Sequence, residues 1–126
     1  MAFKRVIRNP EFSHSEFDAY SKAPFPRRKY QAGILQFPQL ITVYPDNPGL
    51  PQNLAAWEKL KSFEKPVLTL FGNKDPVTRG VHKLFKRDIP GTKGQNHKLI
   101  DGGGHFIQED KPDELVAEIL PFLDVK

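Results

Sequence analysis

The stretch KPVLTLFG, residues 65–72, decides the fold. It is a compact apolar run closed by a glycine, and this pattern predicts a β-strand buried on both faces. The stretch HKLI at residues 97–100 predicts a second short strand. Residues 78–89 between them predict a helix, with Thr78 as its N-cap. The order strand, helix, strand indicates a right-handed βαβ unit, in which the two strands are parallel.

Helices are predicted on either side of this unit. Residues 53–63 form one, with Asn53 as a cap. The C-terminal stretch KPDELVAEILPFLDV forms another, which Pro121 kinks or ends. The inward face of this last helix is predicted to carry Leu115, Ile119 and Phe122. The fold class is therefore α/β, with a small, mostly parallel sheet flanked by helices.

The N-terminal region differs because prolines interrupt it. Of the 12 prolines in 126 residues, most lie between positions 10 and 51, which excludes long regular elements there. Short helices are predicted at residues 13–23, with a serine cap, and at residues 26–37. Residues 3–8 and 40–44 are candidate extended segments. We divide the chain into residues 1–53 and 54–126, within one compact domain.

Charge and composition exclude several classes of protein. The 19 Lys and Arg against 15 Asp and Glu give a net charge of +4, without a basic stripe interleaved with aromatic residues, so a solvated surface is favoured over nucleic-acid binding. The absence of cysteine excludes disulfides and thiolate metal sites. No apolar run approaches a membrane span, and no signal peptide opens the sequence. These features predict a soluble cytoplasmic protein.

Two loops carry the chemistry, and each follows a predicted strand directly. They are GNKDPVTRG at residues 72–80 and DGGGHFIQED at residues 101–110. Because the carboxyl ends of parallel neighbours meet at one edge of a sheet, Asp75 and His105 are predicted partners. A carboxylate on one ring nitrogen fixes the tautomer and stabilises the imidazolium that forms when the other nitrogen takes a proton. The glycine run lets the backbone turn sharply enough to aim His105 as a general base.

Simpler interpretations stay open for the same residues. His105 could be a structural histidine bonded to a backbone carbonyl, and Asp75 could cap the turn at Pro76. Glu109 and Asp110 are interpreted as charge that complements the N-terminus of a helix. The remaining histidines are interpreted as surface residues that match no metal site: His14, His82 and His97.

From Ala19 onward the sequence resembles the C-terminal part of haloalkane dehalogenases, in the α/β-hydrolase superfamily. Six stretches carry the resemblance: AYSKAPFP (19–26), YQAGILQFPQLI (30–41), AAWEKL (55–60), PVLTLFGNKDPVT (66–78), IPGTKGQ (89–95) and GGHFIQED (103–110). A histidine after paired glycines is common to many α/β-hydrolases, whereas the six stretches together are specific. The resemblance implies a partial α/β-hydrolase fold whose N-terminal helical region derives from the cap domain.

The resemblance also implies a mechanism. In that family an aspartate displaces halide and forms an alkyl ester, and a histidine supported by an acid activates the water that hydrolyses it. His105 matches the base and Asp75 matches the supporting acid. Phe37, Pro38 and Ile41 match cap positions that line the substrate cavity. No cofactor or metal is implied, because this chemistry uses only water and side chains.

The sequence departs from the family in what it lacks. No aspartate stands in the family's strand-to-helix elbow beside a tryptophan; the oxyanion loop and early strands are absent, and no Gly-x-Ser-x-Gly offers a substitute nucleophile. We therefore expect a haloalkane dehalogenase-like fragment with the base–acid pair but no nucleophile, inactive alone. The alternative is a non-catalytic, homo-oligomeric binding or assembly module. Whether the chain is a complete reading frame or a truncation stays open.

The missing early strands predict a partner. Two parallel strands alone are marginal, and an unpaired strand edge is a template for association. A homodimer, a second chain carrying the nucleophile half, or an N-terminal segment folded back would cover the edge of residues 66–71. A small apolar molecule is a further candidate ligand, whereas nucleic acid and membrane are not expected partners.

Overall fold

The computed structural model of the protein describes residues 7–11, 13–41 and 44–123. The chain divides into two compact units, a helical unit (Ser13–Leu60) and a strand-containing unit (Met1–Phe12 with Lys61–Lys126). The helical unit holds α1 (His14–Lys22), α2 (Ala32–Gln36) and α3 (Leu50–Leu60). The strand-containing unit holds β1 (Leu70–Gly72), α4 (Val81–Asp88), β2 (Lys98–Ile100), α5 (Ile107–Asp110) and α6 (Pro112–Leu123). Single 3-10 turns lie at Arg28–Tyr30, Phe37–Leu40 and Pro90–Thr92.

The predicted parallel pair is present, in a small sheet flanked by helices. β1 and β2 are hydrogen-bonded neighbours, with Leu70 opposite Lys98 and Gly72 opposite Ile100. β1 is much shorter than predicted, and its residues are half-buried. The prediction of a strand buried on both faces was therefore wrong. β1 is short because Val67 donates its N–H to the carbonyl of Gly91, in the 3-10 turn Pro90–Thr92, rather than to a neighbouring strand.

Helices α4 and α6 pack on opposite faces of the sheet, because side chains alternate along a strand. The ring of Phe71 lies 5.7 Å from that of His82 and 6.5 Å from that of Phe85, both on α4. On the other face, Lys98 forms an ion pair with Glu118 of α6, at 3.7 Å. One helix therefore contacts the sheet on each side.

Both helices differ in detail from the prediction. α4 begins at Val81, after Gly80 with φ 84°, and Thr78 is not its cap. α6 continues past Pro121 to Leu123. Pro121 lies in the last turn, so the backbone hydrogen bond that a proline cannot donate is missing only near the end of the helix. Ile119, expected to face inward, is 38% exposed.

The core of the strand-containing unit is small and centres on Ile89 and Ile100, which are 2% and 7% exposed. Gly91 lies two residues after Ile89, and it is in close contact with the backbone of Phe63 and Lys65. Its N–H donates to the carbonyl of Phe63, and a β-carbon there would lie 1.9 Å from the carbonyl oxygen of Lys65. Glycine is thus the residue that lets the segment before β1 join the core.

The helical unit is built from short elements, as its prolines predict. α1 begins with a capping box, in which the Ser13 hydroxyl accepts from the Glu16 N–H and the Glu16 carboxylate accepts from Ser13. The single helix predicted at residues 26–37 is interrupted, since a 3-10 turn precedes α2. α3 begins at Leu50, so that Asn53 lies inside the helix and is not its cap.

Two further expectations concern residues only partly described. The candidate extended segments at residues 3–8 and 40–44 include positions 3–6 and 42–43, which lie outside the described residues. Leu40 itself ends a 3-10 turn. The division of the chain after residue 53 into a cap-derived region and a hydrolase portion stays a prediction.

Candidate active site

His105 and Asp75 are in contact, as their positions after two neighbouring strands predict. Nδ1 of His105 lies 3.1 Å from Oδ2 of Asp75. The histidine side chain is 34% exposed and the aspartate side chain 5%, so the acid lies beneath a ring that water reaches. Since a carboxylate accepts, Nδ1 carries the proton and Nε2 is left with its lone pair. Among the described residues, Nε2 makes no hydrogen bond, so it is free to accept a proton.

The Asp75 carboxylate is held by its own loop. Oδ1 accepts the N–H of Val77 at 2.7 Å, and Oδ2 accepts the hydroxyl of Thr78 as well as His105. Burial raises the pKa of Asp75, but the hydrogen bonds from Thr78, Val77 and His105 outweigh it, and the net pKa is lowered from its usual value of 3.8. Asp75 is therefore an anion at neutral pH. It also makes the turn-capping bond at Val77, so both interpretations of this residue describe the same carboxylate.

Asn73 joins the two loops. Its backbone N–H donates to the Ile100 carbonyl at 3.1 Å, and its side chain donates to the Asp101 carboxylate at 2.6 Å. The side-chain oxygen accepts the N–H of Gly102 at 3.0 Å. One asparagine thus fixes the start of the histidine loop against the end of β1. Asn73 was not predicted as a site residue, although its position two residues before Asp75 could have indicated a role in the same loop.

Glycine is required in the site for two distinct physical reasons. Gly102 has φ 77°, in the left-handed region that glycine favours, and so the loop turns there. Gly72 and Gly103 cross at close range, because a β-carbon on Gly72 would lie 2.1 Å from the Gly103 carbonyl oxygen. That carbonyl also accepts the N–H of Lys74 at 2.9 Å. The close crossing brings the loops near enough for the imidazole to reach the carboxylate.

A cavity of about 210 Å³ lies beside Asp75, on the α4 side of the loop. Phe71, Asn73, Thr78 and Leu99 contribute to its walls, and His105 does not line it. The imidazole of His105 and this cavity are therefore separate features of the site.

The structure places the predicted substrate residues in the helical unit. Phe37 and Pro38 lie in the 3-10 turn Phe37–Leu40, and Ile41 follows it. Phe37 is 70% exposed and Ile41 is 52% exposed. Their assignment to a substrate cavity stays a prediction.

His97 and His82 were wrongly interpreted as surface residues. His97 is half-buried, and its Nδ1 accepts the N–H of Thr69 at 3.1 Å while Nε2 donates to the Thr92 carbonyl at 2.7 Å. His82 packs its ring against Phe71. Both are part of the packing around β1 and β2, which no local pattern in the sequence indicated.

Over the described ranges, no three His, Cys, Asp or Glu side chains come together as a metal site. None of the helices in that part of the chain has the length and apolar character to cross a membrane.

Comparison with known proteins identifies relatives of this chain. No protein-family model matches it. A haloalkane dehalogenase of Psychrobacter cryohalolentis is 43% identical over 113 residues, which cover 90% of this chain and 37% of the relative. Haloalkane dehalogenase 1 of Mycobacterium tuberculosis is 42% identical over 118 residues, which cover 94% and 38%. A haloalkane dehalogenase of Mycobacterium marinum is 45% identical over 98 residues, which cover 78% and 33%.

The chain thus spans only about a third of the length of the curated relatives it matches. The identity holds over most of this chain, and the structure adds the paired parallel strands and the two loops on which the resemblance depends. We therefore identify the chain as a homologue of haloalkane dehalogenases that corresponds to the C-terminal part of these enzymes.

Proposed function

We propose that this chain supplies the base and its supporting acid to a haloalkane dehalogenase-type hydrolase and is inactive without a nucleophile from a second polypeptide. His105 is the general base and Asp75 is the acid that orients it. The substrate class is short haloalkanes, by analogy with the names of the relatives. Phe37, Pro38 and Ile41 are proposed to line the substrate cavity once the enzyme is assembled.

The observation that carries this proposal is the contact between Nδ1 of His105 and Asp75, with the histidine side chain 34% exposed. An imidazole oriented by a buried carboxylate takes a proton more readily, because the carboxylate stabilises the imidazolium. The lowered pKa of Asp75 supports this role, since the acid stays charged while His105 changes its protonation state.

The proposed step balances as a hydrolysis. Nε2 of His105 takes a proton from water, and the water oxygen attacks the carbonyl carbon of an alkyl ester on the nucleophilic aspartate. The C–O bond between the carbonyl carbon and the alkoxy oxygen breaks, and the proton returns from the imidazolium to the leaving alkoxide. The products are an alcohol and the aspartic acid, which releases its proton to water and returns to a carboxylate. The halide leaves earlier, when the aspartate attacks carbon.

The other two aspartates of the two loops, Asp101 and Asp110, support a nucleophile from outside the chain. Asp101 is hydrogen-bonded to the Asn73 amide at 2.6 Å. Asp110 accepts backbone N–H groups from Arg8, Asn9 and Gly104. Both carboxylates are therefore committed to holding the loops.

Halide release from short haloalkanes tests the proposal. The chain alone is expected to release none above its His105→Ala variant. Mixed with a polypeptide that carries the remaining, nucleophile-bearing two-thirds of the Psychrobacter relative, it is expected to gain activity. His105→Ala should lower that activity by on the order of 10⁴-fold. Asp113→Asn, on the exposed start of α6, is the control and should leave the activity unchanged.

Activity of the chain alone would contradict the missing nucleophile. If such activity requires His105, then Asp101→Asn and Asp75→Asn are the first variants to measure, because these carboxylates lie in the two loops. Failure of every mixture to release halide, with a stable complex formed, would contradict the catalytic proposal itself.

A second candidate function is a homo-oligomeric assembly module without activity. Exposed apolar side chains favour it, because Val116, Leu120 and Leu123 are 52%, 55% and 66% exposed along one face of α6, with Ile119 between them. Among the described residues β1 pairs with β2 alone, which leaves its other edge available.

Sedimentation of the chain alone tests this second candidate. A module of this kind should be dimeric at micromolar concentration, and Leu120→Glu should make it monomeric by placing a charge in the apolar face. Leu84→Glu is the matched control, since Leu84 on α4 is also exposed, at 43%, and lies off this face. A monomer that associates only with the nucleophile-bearing polypeptide would exclude the module and favour the first proposal.

A further inference from the structure

Asp110 holds together segments that are far apart in the sequence. Its Oδ1 accepts the backbone N–H of Arg8 at 2.5 Å and that of Asn9 at 2.7 Å, from positions about a hundred residues earlier. Its Oδ2 accepts the N–H of Gly104 at 2.7 Å. Three backbone donors on one carboxylate are charge-assisted hydrogen bonds, which are stronger than those between neutral groups.

The same residue contacts the chain on both sides of His105. Its side chain binds Gly104, which precedes the histidine, and its backbone N–H donates to the carbonyl of Phe106, which follows it, at 3.2 Å. The Phe106 ring meets the imidazole edge to face, with centroids 5.4 Å apart. His105 therefore sits between two points that Asp110 fixes, on a loop where glycine gives no side-chain packing.

Asn9 strengthens the link from the N-terminal side. Its side-chain amide donates to the Glu109 carbonyl at 3.1 Å, and its side-chain oxygen accepts the N–H of Glu11 at 2.9 Å. The short segment from Arg8 to Glu11 is thus ordered against the end of α5. Asp110, expected to complement a helix N-terminus, lies in the single turn of α5 and in addition accepts the backbone N–H groups of Arg8 and Asn9.

We propose that Asp110 is a positioning residue, which fixes the His105 loop through Gly104 and Phe106 and ties it to the segment Arg8–Asn9. The functional weight of this role rests on the proposed function of His105 as a base, whereas the positioning itself does not. Asp110 touches no reacting atom. Its loss should weaken the contact between the His105 imidazole and the Asp75 carboxylate, although neither of these side chains is removed.

Nuclear magnetic resonance of the unaltered chain and of Asp110→Asn tests the proposal without any activity measurement. Asparagine keeps the shape but has one accepting oxygen; because two N–H groups converge on Oδ1 and one on Oδ2, we expect that oxygen to stay with Arg8 and Asn9 and Gly104 to lose its acceptor. We expect the Gly104 amide to exchange with solvent about tenfold faster. We also expect the ring nitrogen signals of His105 to leave the Nδ1-protonated pattern for a mixture of tautomers. Glu109→Gln removes the same charge one residue earlier and should change neither readout.

Each outcome decides the role. Faster exchange at Gly104 with unchanged His105 signals would mean that Asp110 is structural only, and no change in either would mean that the contact is absent; both overturn the proposal. If Asp110→Asn does not fold, a scalar coupling across the hydrogen bond from the Gly104 nitrogen to the Asp110 carboxyl carbon is measured in the unaltered chain, and its absence likewise overturns it. Because none of these signals needs halide release, failure of the proposed function would leave this result standing.

Discussion

The helical unit and the strand-containing unit are ordered by different means. In the described part of the helical unit, no residue is buried, and the order is local, as in the capping box of Ser13 and Glu16. In the strand-containing unit, Ile89, Ile100 and Asp75 are buried, and some of the hydrogen bonds of this unit join residues 28 to 102 positions apart. The contact between His105 and Asp75 thus joins two loops 30 residues apart, whereas short-range capping suffices for a single helix such as α1.

The chain offers a separate probe for each unit. Trp57 and the three tyrosines, Tyr20, Tyr30 and Tyr44, all lie in the helical unit, so fluorescence follows that unit alone. The amide signal of Ile100 follows the strand-containing unit. Urea unfolding recorded with both probes therefore assigns each substitution below to one unit.

The largest effect is expected from a single methyl group at Gly91. Gly91→Ala places a β-carbon 1.9 Å from the Lys65 carbonyl oxygen, and we expect it to lower the free energy of unfolding by about 3 kcal/mol at the Ile100 probe. Gly33→Ala is the matched change in α2, where nothing lies within 4 Å, and alanine should stabilise that helix by about 0.5 kcal/mol or leave it unchanged. Equal effects of the two substitutions would contradict the contrast between the units.

The second effect concerns His97, which joins the start of the sheet to the turn at Pro90–Thr92. His97→Ala leaves the Thr69 N–H and the Thr92 carbonyl without their partner, and we expect a loss of about 2 kcal/mol at the Ile100 probe. His14→Ala removes an exposed histidine of α1 and should change the free energy of unfolding at neither probe. An unchanged stability of His97→Ala would show that water replaces both bonds.

The third effect is local to the helical unit. Ser13→Ala removes the hydroxyl that accepts from the Glu16 N–H, and we expect α1 to lose about 1 kcal/mol. Helix content by circular dichroism should fall, whereas the His105 ring nitrogen signals should not move. Ser21→Ala, in the last turn of α1, is the control for the loss of a hydroxyl away from the cap. A shift of the His105 signals in Ser13→Ala would mean that the two units are coupled.

The smallest effect appears only in acid. Because folding lowers the pKa of Asp75, its carboxylate stabilises the folded state fully above pH 3.8, and this contribution is lost as pH falls through the lower folded value. The Ile100 probe should therefore show stability decreasing below about pH 4, and Asp75→Asn should flatten that decrease. Asp46→Asn, in an exposed loop of the helical unit, is the control. The same pH dependence in the unaltered chain and in Asp75→Asn would assign the acid sensitivity to other carboxylates.

Sequence reasoning found the parts of the site that follow from local rules. The loops that carry Asp75 and His105 each come directly after an apolar stretch, and parallel strands bring such loops together without any knowledge of packing. The glycines beside His105 signalled a sharp turn, and Gly102 makes one. The positions of Asn73 and Asp110 in the same loops were visible too, but their roles depend on backbone groups that only folding brings within reach.

Other elements could not be predicted because their determinants lie elsewhere in the chain. Residues 65–69 look like a strand, yet Val67 finds its acceptor at Gly91 and the regular pairing starts at Leu70. Asn53 has the chemistry of a cap, but α3 already begins at Leu50. In both cases a local preference was overridden by the partner that the backbone met in space.

By itself, the sequence determined the pair of parallel strands, the capping of α1, the similarity to haloalkane dehalogenases and the two residues that meet at the strand ends. Periodicity, helix caps and glycine turns each depend on a few neighbouring residues, so they can be recognised in the sequence. The tertiary structure alone decided that His97 braces the sheet, that α6 exposes an apolar face, and that Asp110 gathers three backbone donors around the histidine loop. Those features depend on hydrogen-bonding groups and surfaces from distant segments, whose meeting is set by packing and by no local pattern.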